Sequence, residues 1–373
     1  MNKDVPKKIL YITTKSDLGG VAKYLLEIAQ KLPSHIEPYF IMSSEGYLSY
    51  ELEKIGILKE HIFFIPMTND IFNLPLHLKS NWQILNLVLK IRPDLIHCNA
   101  TTASIVGAVV GFLTRTTTIY TVHGWPFTDG ISHKKQIFYK ILEFFMCAVY
   151  KKIICVSEFD TQIGIKALPM YKNKMQTIHN GISDIDKIYI KKEFSSGELK
   201  LVMISRFCPQ KDPYTLIDAV NKLSWDGFKI SLDLWGYGEE LEKVKEKIKN
   251  NKNIRYCGEI EDVTTVLKDY DVYALISNWE GLPIGIIEAL RAGMPVLVSD
   301  VGGNKELVEN NGYLVQRGDV EDCKKQIKKL YEENLSSLGE NSRKLYEKEF
   351  NVDKMIKETM ILYEEEIGKS WIR

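Results

Sequence analysis

The chain has 373 residues, of which 45% are hydrophobic and 26% charged, and its formal net charge is zero. This length exceeds the size at which a single hydrophobic core stops growing, so two domains are expected. No apolar run approaches the roughly 18 residues of a membrane-spanning helix, and the first apolar run is too short for a signal peptide. The composition therefore excludes an integral membrane protein and predicts a cytoplasmic globular one, with six scattered cysteines that form no CxxC pair and are expected to be reduced.

The charges are distributed unevenly along the chain. Residues 1–200 carry 24 Lys+Arg against 18 Asp+Glu, and the remainder carries 25 against 31. The basic excess clusters within 115–174, around the segment 133–152, which has helical spacing of its apolar residues and lysines at both ends. One interpretation is a core-facing helix with a solvated basic edge. The other is a surface that contacts anionic lipid headgroups, and so a peripheral location at the inner face of the membrane.

Short β-branched runs alternate with helical patterns from end to end, which predicts βαβ units and parallel sheets. The predicted strands of the first half lie at 7–14, 37–43, 62–67, 95–99, 117–124, 151–157 and 175–181. The same alternation of strands and helices is repeated in the second half, with predicted strands at 199–207, 228–236, 253–259, 271–278, 294–300 and 312–316.

A polar, lysine-rich stretch, 184–200, separates the two halves and is the predicted linker. The expected domains are therefore 1–183 and 201–352, with a final helix at 353–373 that is expected to cross back to the first domain. The fold class is α/β, with two doubly wound parallel-sheet domains that face each other across a cleft. Such sheets bind ligands at the carboxyl ends of their strands, so functional residues should follow strands directly.

Two motifs in the first half satisfy this expectation. Gly19 and Gly20 lie between the first strand and the first helix, where glycine lets the backbone approach a ligand and the helix N-terminus offers N–H groups. A tight turn would explain the pair equally well. His123 ends a later strand, and it could be either a hydrogen-bonded structural histidine or a catalytic one.

In the second half, Arg206 ends the first strand and Lys211 follows in the next loop. Two cations beside a helix N-terminus could hold a diphosphate without a metal ion, although solvated loop charges are the simpler interpretation. The dinucleotide-binding fingerprint GxGxxG is absent, because the nearest match, at 236–241, has Leu241 in place of its third glycine. This disfavours an NAD dehydrogenase.

The segment NWEGLPIGIIEAL, residues 278–290, places Glu280 before a glycine- and proline-containing bend and Glu288 within the helix that follows. The helix is expected to begin near Pro283 or Gly285, with Glu288 in its first turn. Stabilisation by the helix macrodipole would explain Glu288 but not Glu280. The N–H groups of residues 282–286 are expected to be free for an anion between the two carboxylates, which could accept hydrogen bonds from sugar hydroxyls.

The stretch EGLPIGIIEALRAGMPVLVSDVGG, residues 280–303, together with SRFCPQKD upstream, resembles the donor domain of glycosyltransferase family 4, retaining enzymes of the GT-B fold. The matching features are two glutamates separated by seven intervening residues and the run Ala289, Gly293, Pro295, Val296, Gly302 and Gly303. The resemblance is strong over 198–320 and diffuse over the first half, where HGWPFTDG at 123–130 is similar to bacterial enzymes of capsular and exopolysaccharide synthesis.

The resemblance implies a role for each motif. Arg206 and Lys211 would hold the nucleotide diphosphate, Glu288 the ribose hydroxyls, and Glu280 a hydroxyl of the donor sugar, while His123 would lie near that sugar. The resemblance implies four catalytic residues, Arg206, Lys211, Glu280 and His123. The residues implied in donor binding are Gly19, Gly20, Ile260, Gly281, Leu282, Pro283, Ile284 and Glu288.

The implied activity is a metal-independent transfer of a hexosyl or N-acetylhexosaminyl group, with retention at the anomeric carbon and without a cofactor. UDP is the expected nucleotide, ahead of GDP, and the acceptor is expected to be a glycan or a lipid-linked sugar. No role for nucleic acid is expected. Two alternatives remain at this point: a nucleotide-sugar epimerase on the same fold, and a non-catalytic nucleotide-sugar-binding subunit.

Overall fold

The computed structural model describes residues 6–68, 73–128, 130–187, 194 and 197–370. The chain divides into two compact units, unit 1 formed by Met1–Gly181 with Val352–Arg373 and unit 2 formed by Ile182–Asn351. Of the predicted linker, residues 188–193, 195 and 196 lie outside the described residues, as do residues 371–373 of the final helix.

Unit 1 contains a seven-stranded sheet in the order β3-β2-β1-β4-β5-β6-β7, and every pairing is parallel. All seven strands predicted for the first half are present. Strands β4 and β5 are buried along their whole length, as is typical of a parallel sheet covered on both faces. The strands are β1 Lys7–Thr13, β2 Ile36–Met42, β3 Ile62–Phe64, β4 Leu95–Asn99, β5 Thr117–Val122, β6 Lys152–Cys155 and β7 Met175–Thr177.

The helices of unit 1 connect these strands in the expected alternation. They are α1 Gly20–Lys31, α2 Tyr47–Lys54, α3 Leu74–Ile91, α4 Thr101–Thr114, α5 His133–Val149 and α6 Glu158–Ala167. Helix α5 occupies the basic segment, but the interpretation of its apolar residues as mainly core-facing is wrong. Ile137, Ile141 and Phe145 are each at least half exposed, while Glu143 and Cys147 are the buried residues of this helix.

The final helix, α13 Val352–Ser370, belongs to unit 1 by its contacts. Its Tyr363 hydroxyl lies 2.5 Å from Nδ1 of His97 on β4, and both side chains are buried. At its start, Asp353 forms an ion pair with Lys31 of α1 at 3.3 Å. The helix is therefore fixed to unit 1 both by a buried hydrogen bond and by surface contacts.

Unit 2 contains a six-stranded sheet in the order β10-β9-β8-β11-β12-β13, again parallel throughout. All six strands predicted for the second half are present. They are β8 Leu199–Ile204, β9 Ile230–Trp235, β10 Ile254–Gly258, β11 Val272–Leu275, β12 Val296–Ser299 and β13 Gly312–Val315. The helices are α7 Pro213–Trp225, α8 Leu241–Ile248, α9 Thr264–Leu267, α10 Ile284–Arg291, α11 Val320–Glu332 and α12 Leu335–Leu345.

Helix α7 begins directly after a side-chain cap, Asp212. The Asp212 carboxylate accepts hydrogen bonds from the backbone N–H of Thr215, at 3.1 Å, and from the Thr215 hydroxyl, at 2.6 Å. Pro213 occupies the first position of the helix, where its missing N–H costs nothing. The cap fixes the end of the loop that carries Arg206 and Lys211.

The six cysteines are free thiols, and all but the half-buried Cys257 are buried. No described helix is long and apolar enough to span a bilayer.

Candidate active site

Arg206 follows β8 in an extended segment that runs alongside the end of β9. The N–H of Ser205 donates to the carbonyl of Trp235 at 3.0 Å, and the N–H of Phe207 donates to the carbonyl of Tyr237 at 2.7 Å. Phe207 is buried, whereas Arg206 is exposed. Within the described part of the chain, the Arg206 guanidinium has no hydrogen-bond or ion-pair partner. The backbone thus holds Arg206 firmly while leaving its charge available to an anion.

Gly236 and Gly238 are required for this arrangement. Both have positive φ, +133° and +143°, and a β carbon would lie 1.9 Å from the Ser205 carbonyl oxygen and 2.2 Å from that of Phe207. Any larger residue would therefore push the Arg206 segment away from β9. The two glycines of the partial dinucleotide fingerprint at 236–241 therefore allow β9 and the Arg206 segment to approach each other closely.

Lys211 lies in a loop that is joined to the end of β11. The N–H of Asp212 donates to the carbonyl of Ile276 at 2.9 Å, and the N–H of Asn278 donates to the carbonyl of Gln210 at 2.8 Å. These bonds bring Lys211 beside Glu280, although the two residues lie 69 positions apart in the chain.

Lys211 and Glu280 form an ion pair between Nζ and Oε1, with side chains only 13% and 5% exposed. The second Glu280 oxygen, Oε2, accepts a hydrogen bond from Nε2 of Gln210 at 3.1 Å, and the same Nε2 donates to the Trp279 carbonyl at 3.0 Å. Both carboxylate oxygens are therefore engaged. The sequence-based hypothesis grouped Lys211 with Arg206, and neither the pairing with Glu280 nor the role of Gln210 was predicted.

The bend between the two glutamates is held in place by the paired glycines at the end of the family motif. Gly302 has a φ of +57°, and a β carbon there would lie 2.0 Å from the carbonyl oxygen of Glu280. The N–H of Gly303 donates to the carbonyl of Gly281 at 2.8 Å. The glycine pair thus packs directly on the bend and fixes the position of the Glu280 backbone.

Helix α10 begins at Ile284, with Pro283 as its N-cap residue. Glu288 is consequently the fifth residue of the helix, and its predicted place in the first turn is wrong. The expectation of free N–H groups through Ile286 also fails at that residue, because its N–H donates to the Pro283 carbonyl at 3.2 Å. Glu288 is 8% exposed, so its carboxylate is largely shielded from water.

Tyr273 of β11 connects these elements and was not identified from the sequence. Its hydroxyl donates to the Ile204 carbonyl at 3.1 Å and lies 2.6 Å from where a β carbon of Gly285 would be. Burial raises the pKa of Tyr273 well above its usual value, and the carboxylates of Glu288 and then Glu280 raise it further. The Tyr273 hydroxyl thus connects the end of β8 with the first turn of α10.

The loop that contains Ile260, one of the residues implied in donor binding, follows β10. The carbonyl of Gly258 accepts from the N–H of Gly236 at 2.8 Å, and the Tyr256 hydroxyl donates to the Gly236 carbonyl at 3.0 Å. The structure thus places this loop beside the Arg206 segment, with Ile260 half-buried within it.

In unit 1, Gly19 and Gly20 start helix α1. Gly19 is extended, with a φ of 172°, and a β carbon would lie 4.0 Å from its nearest neighbour, the Asp17 carbonyl oxygen. A β carbon on Gly20 would meet nothing within 4 Å. Packing among the described residues therefore does not require glycine at either position, which weakens the tight-turn interpretation.

His123 follows β5 at the carboxyl edge of the unit 1 sheet. Its Nε2 lies 3.1 Å from the side-chain oxygen of Asn99, and the edge of its ring contacts Tyr24 with centroids 4.9 Å apart. Desolvation lowers the pKa of His123 to about 3, so the ring is neutral at pH 7. With Asn99 oxygen accepting from Nε2–H, Nδ1 carries the lone pair. Asn99 was not identified from the sequence.

A glycosyl transferases group 1 domain matches residues 184–349, and a glycosyltransferase family 4 domain matches residues 18–184. The two matches together cover residues 18–349, and the chain belongs to the glycosyltransferases that combine these two domains. The resemblance inferred from residues 280–303 is thereby confirmed, and so is the assignment of the chain as an enzyme.

Relatives of this glycosyltransferase include bacterial enzymes of O-antigen and capsular polysaccharide biosynthesis. It is 29% identical over 315 residues to the O-antigen biosynthesis glycosyltransferase WbnH of Escherichia coli, with 83% of this chain and 86% of the relative covered. It is 26% identical over 382 residues to the UDP-Gal:alpha-D-GlcNAc-diphosphoundecaprenol alpha-1,3-galactosyltransferase of Escherichia coli, with 95% and 96% covered.

Among solved structures, Anabaena HepE in complex with UDP matches this glycosyltransferase with a TM-score of 0.80 at 20% identity, covering 96% of this chain and 100% of HepE. At this identity the similarity establishes the fold. The prediction of two Rossmann-like parallel-sheet domains of the GT-B type is confirmed.

Proposed function

We propose that this glycosyltransferase transfers a sugar from a UDP-linked donor to a glycan or lipid-linked sugar acceptor in the synthesis of a bacterial surface polysaccharide. The observation that carries the proposal is the group of charges in unit 2: the exposed Arg206 cation, the Lys211–Glu280 pair and the shielded Glu288 beside one bend. Cations suit a diphosphate, and carboxylates suit sugar and ribose hydroxyls. The relative that uses UDP-Gal and a diphosphoundecaprenol-linked sugar supports both substrate classes.

In the proposed complex, Arg206 and Lys211 bind the donor diphosphate. Glu280 accepts a hydrogen bond from a donor-sugar hydroxyl and Glu288 accepts from the ribose. Lys211 already shares its charge with Glu280, whereas Arg206 has no acidic partner in the described chain, so Arg206 supplies the larger uncompensated charge. Binding is completed by backbone groups of Gly281, Leu282, Pro283 and Ile284, by the Ile260 loop, and by Gly19 and Gly20.

The proposed reaction retains the anomeric configuration and requires no metal ion. The acceptor oxygen forms a bond to the anomeric carbon on the face from which the diphosphate leaves, and the bond between that carbon and the diphosphate oxygen breaks. The acceptor proton moves to the departing phosphate, giving UDP and the new glycoside. Arg206 and Lys211 stabilise the charge that grows on the leaving diphosphate. Neutral His123 offers Nδ1 as an acceptor for a sugar hydroxyl.

The first test is the thermal midpoint of unfolding with UDP, GDP or NAD, repeated with Glu288→Ala. A ligand at about one hundred times its dissociation constant stabilises the native state by roughly 2.7 kcal/mol, which gives a clear shift. We expect a shift with UDP that is reduced by Glu288→Ala. A shift with NAD alone would overturn the donor assignment.

The second test incubates the enzyme with UDP-sugars in the presence and absence of membrane-extracted, lipid-linked saccharides and follows the anomeric proton by NMR. Retained stereochemistry and full activity in EDTA are the expected results. Conversion of the donor without an acceptor would indicate an epimerase. Donor binding without turnover on any acceptor extract would indicate a non-catalytic subunit.

A lipid-linked acceptor requires the enzyme to work at a membrane surface. We propose a peripheral location at the inner face of the cytoplasmic membrane, with contact through 133–152. The exposed lysines in the first half of α5, Lys134, Lys135 and Lys140, support this contact because they suit anionic headgroups.

A further inference from the structure

The outer surface of helix α5 is apolar over most of its length. Ile137, Phe138, Ile141, Phe144 and Phe145 are between 37% and 61% exposed. Their spacing puts them on one side of the helix, and Glu143 and Cys147 lie on the other, buried side. Isolated exposed apolar residues are ordinary on a soluble protein, but a contiguous group of this kind marks an interaction surface.

The apolar surface continues onto two further helices. Helix α3 packs against α4 and α4 packs against α5. Successive connections from β3 through β6 move in the same direction along the sheet, so right-handed crossovers put all three helices on one side of it. Phe112 and Leu113 of α4 are 70% and 59% exposed, and Leu78 and Trp82 of α3 are 71% and 67% exposed.

This three-helix face, formed by the outward sides of α3, α4 and α5, carries most of the exposed large hydrophobic side chains of the described residues. Of the eighteen large hydrophobic side chains that are exposed in the described part of the chain, eleven belong to these three helices. Their clustering on a single side of unit 1 separates them from a random scatter of surface residues.

The charges of the face identify its partner. Among all residues of α3, α4 and α5, Glu143 is the only Asp or Glu, and it is buried. Burial also raises the pKa of Glu143 to about 8, so it adds little negative charge at pH 7. Exposed cations accompany the apolar residues: Lys134, Lys135 and Lys140 on α5, and Arg115 directly after α4. Helix α2, by contrast, carries two acids within eight residues.

We propose that the three-helix face docks onto an anionic phospholipid bilayer, with the aromatic and aliphatic side chains inserted at the interface and the cations contacting headgroups. This docking proposal rests on the proposed function, because a lipid-linked acceptor gives the enzyme a reason to bind a membrane. It differs from a purely electrostatic contact through the lysines because apolar insertion on three helices carries the binding. Exposed apolar side chains on helices whose one acid is buried, accompanied by exposed cations, are the chemistry of a membrane-surface site.

The test is sedimentation of the full-length protein with vesicles of phosphatidylglycerol and phosphatidylethanolamine, at 0.1 M and 0.5 M NaCl. The variant Ile141→Ser+Phe145→Ser should lower the partition coefficient at both salt concentrations, by about tenfold or more since each lost side chain removes more than one methylene group from the bilayer. The variant Lys134→Ser+Lys135→Ser should lower it mainly at 0.1 M. A matched control is Tyr50→Ser, because this exposed aromatic residue lies on α2, and it should bind like the wild type.

Light scattering without vesicles and the UDP-induced thermal shift complete the experiment. Equal partitioning of Ile141→Ser+Phe145→Ser and wild type would overturn the proposal. So would a wild-type dimer that this variant dissociates while neither protein binds vesicles, since the face would then bind a second copy. An unchanged UDP shift in the variants shows that folding is intact. Vesicle binding without any UDP shift in the wild type would reject the proposed donor and leave the docking face standing.

Discussion

The nearly buried ion pair between Lys211 and Glu280 gives the sharpest prediction about unit 2. In Lys211→Met the ammonium is lost, and among the described residues the Glu280 carboxylate, 5% exposed, keeps the hydrogen bond from Gln210. Removing one partner of a buried pair leaves an uncompensated charge, which costs about 3–5 kcal/mol. We expect Lys211→Met to lower the free energy of unfolding by about 3 kcal/mol.

The double variant Lys211→Met+Glu280→Gln removes both charges and keeps a side-chain oxygen for Gln210. It should recover most of the loss, because a neutral pair of similar volume carries no stranded charge. The coupling free energy from the double-mutant cycle should therefore be about 2 kcal/mol. Transfer activity should be lost in the single and the double variants alike, since both residues are assigned to the donor.

The assay is equilibrium unfolding in urea without ligand, followed by circular dichroism, with the midpoint and slope fitted for each variant. A lower midpoint at constant slope indicates a change in stability. The control is Lys222→Met, which breaks a 2.6 Å ion pair with Glu321 whose side chains are 42% and 67% exposed, and it should cost less than about 1 kcal/mol. The reasoning is refuted if Lys211→Met costs no more than this control, or if the effects of the two single variants simply add.

Three further predictions concern backbone packing, catalysis and pH. Gly302→Ala should lower the free energy of unfolding by several kcal/mol or abolish UDP binding, because φ at this residue is +57° and the β carbon would lie 2.0 Å from the Glu280 carbonyl oxygen. The control is Gly20→Ala, which has open space around it and should leave the denaturation midpoint unchanged. Arg206→Ala should reduce kcat/KM by about 100-fold or more, equivalent to about 3 kcal/mol, yet leave the denaturation midpoint within experimental error because the side chain is exposed. In the folded protein the pKa of Glu143 is about 8, against an ordinary value of 4.5, so the native state binds this proton more tightly than the unfolded state does. The contribution of Glu143 to the free energy of unfolding is therefore complete below pH 4.5 and is lost as the pH rises towards 8. Glu143→Gln should therefore gain stability relative to wild type between pH 5 and pH 8, and urea midpoints that fall equally in both proteins would contradict this.

The arrangement of the site shows which of its features are local. The bend at residues 280–284 and the glycine pair at 302 and 303 were visible as one family motif, and the structure gives its physical basis in the packing of Gly302 on the Glu280 carbonyl. By contrast, Gln210 carries no motif of its own, and its contact with Glu280 spans 70 positions. Asn99 and Tyr24 reach His123 from separate elements, so nothing near residue 123 in the chain announces them.

The sequence by itself determined the thirteen strands, their alternation with helices, the family and the positions of Arg206, Lys211, Glu280 and Glu288, because hydrophobic periodicity and motif spacing are local properties of the chain. Only the tertiary structure decided which charges meet. Lys211 pairs with Glu280 rather than standing beside Arg206 as a second free cation, because the loop after β8 is hydrogen-bonded to the end of β11.

The tertiary structure also decided the apolar residues of α5. Helical periodicity shows that a helix has an apolar side, but it cannot show whether that side meets a core or faces outward. In this chain the side carrying Glu143 and Cys147 is buried, with Cys147 in the hydrophobic core of unit 1, and the phenylalanines are exposed. The physical reason is that burial depends on which neighbours fold over a residue, and those neighbours are set by the order of the strands rather than by the helix itself.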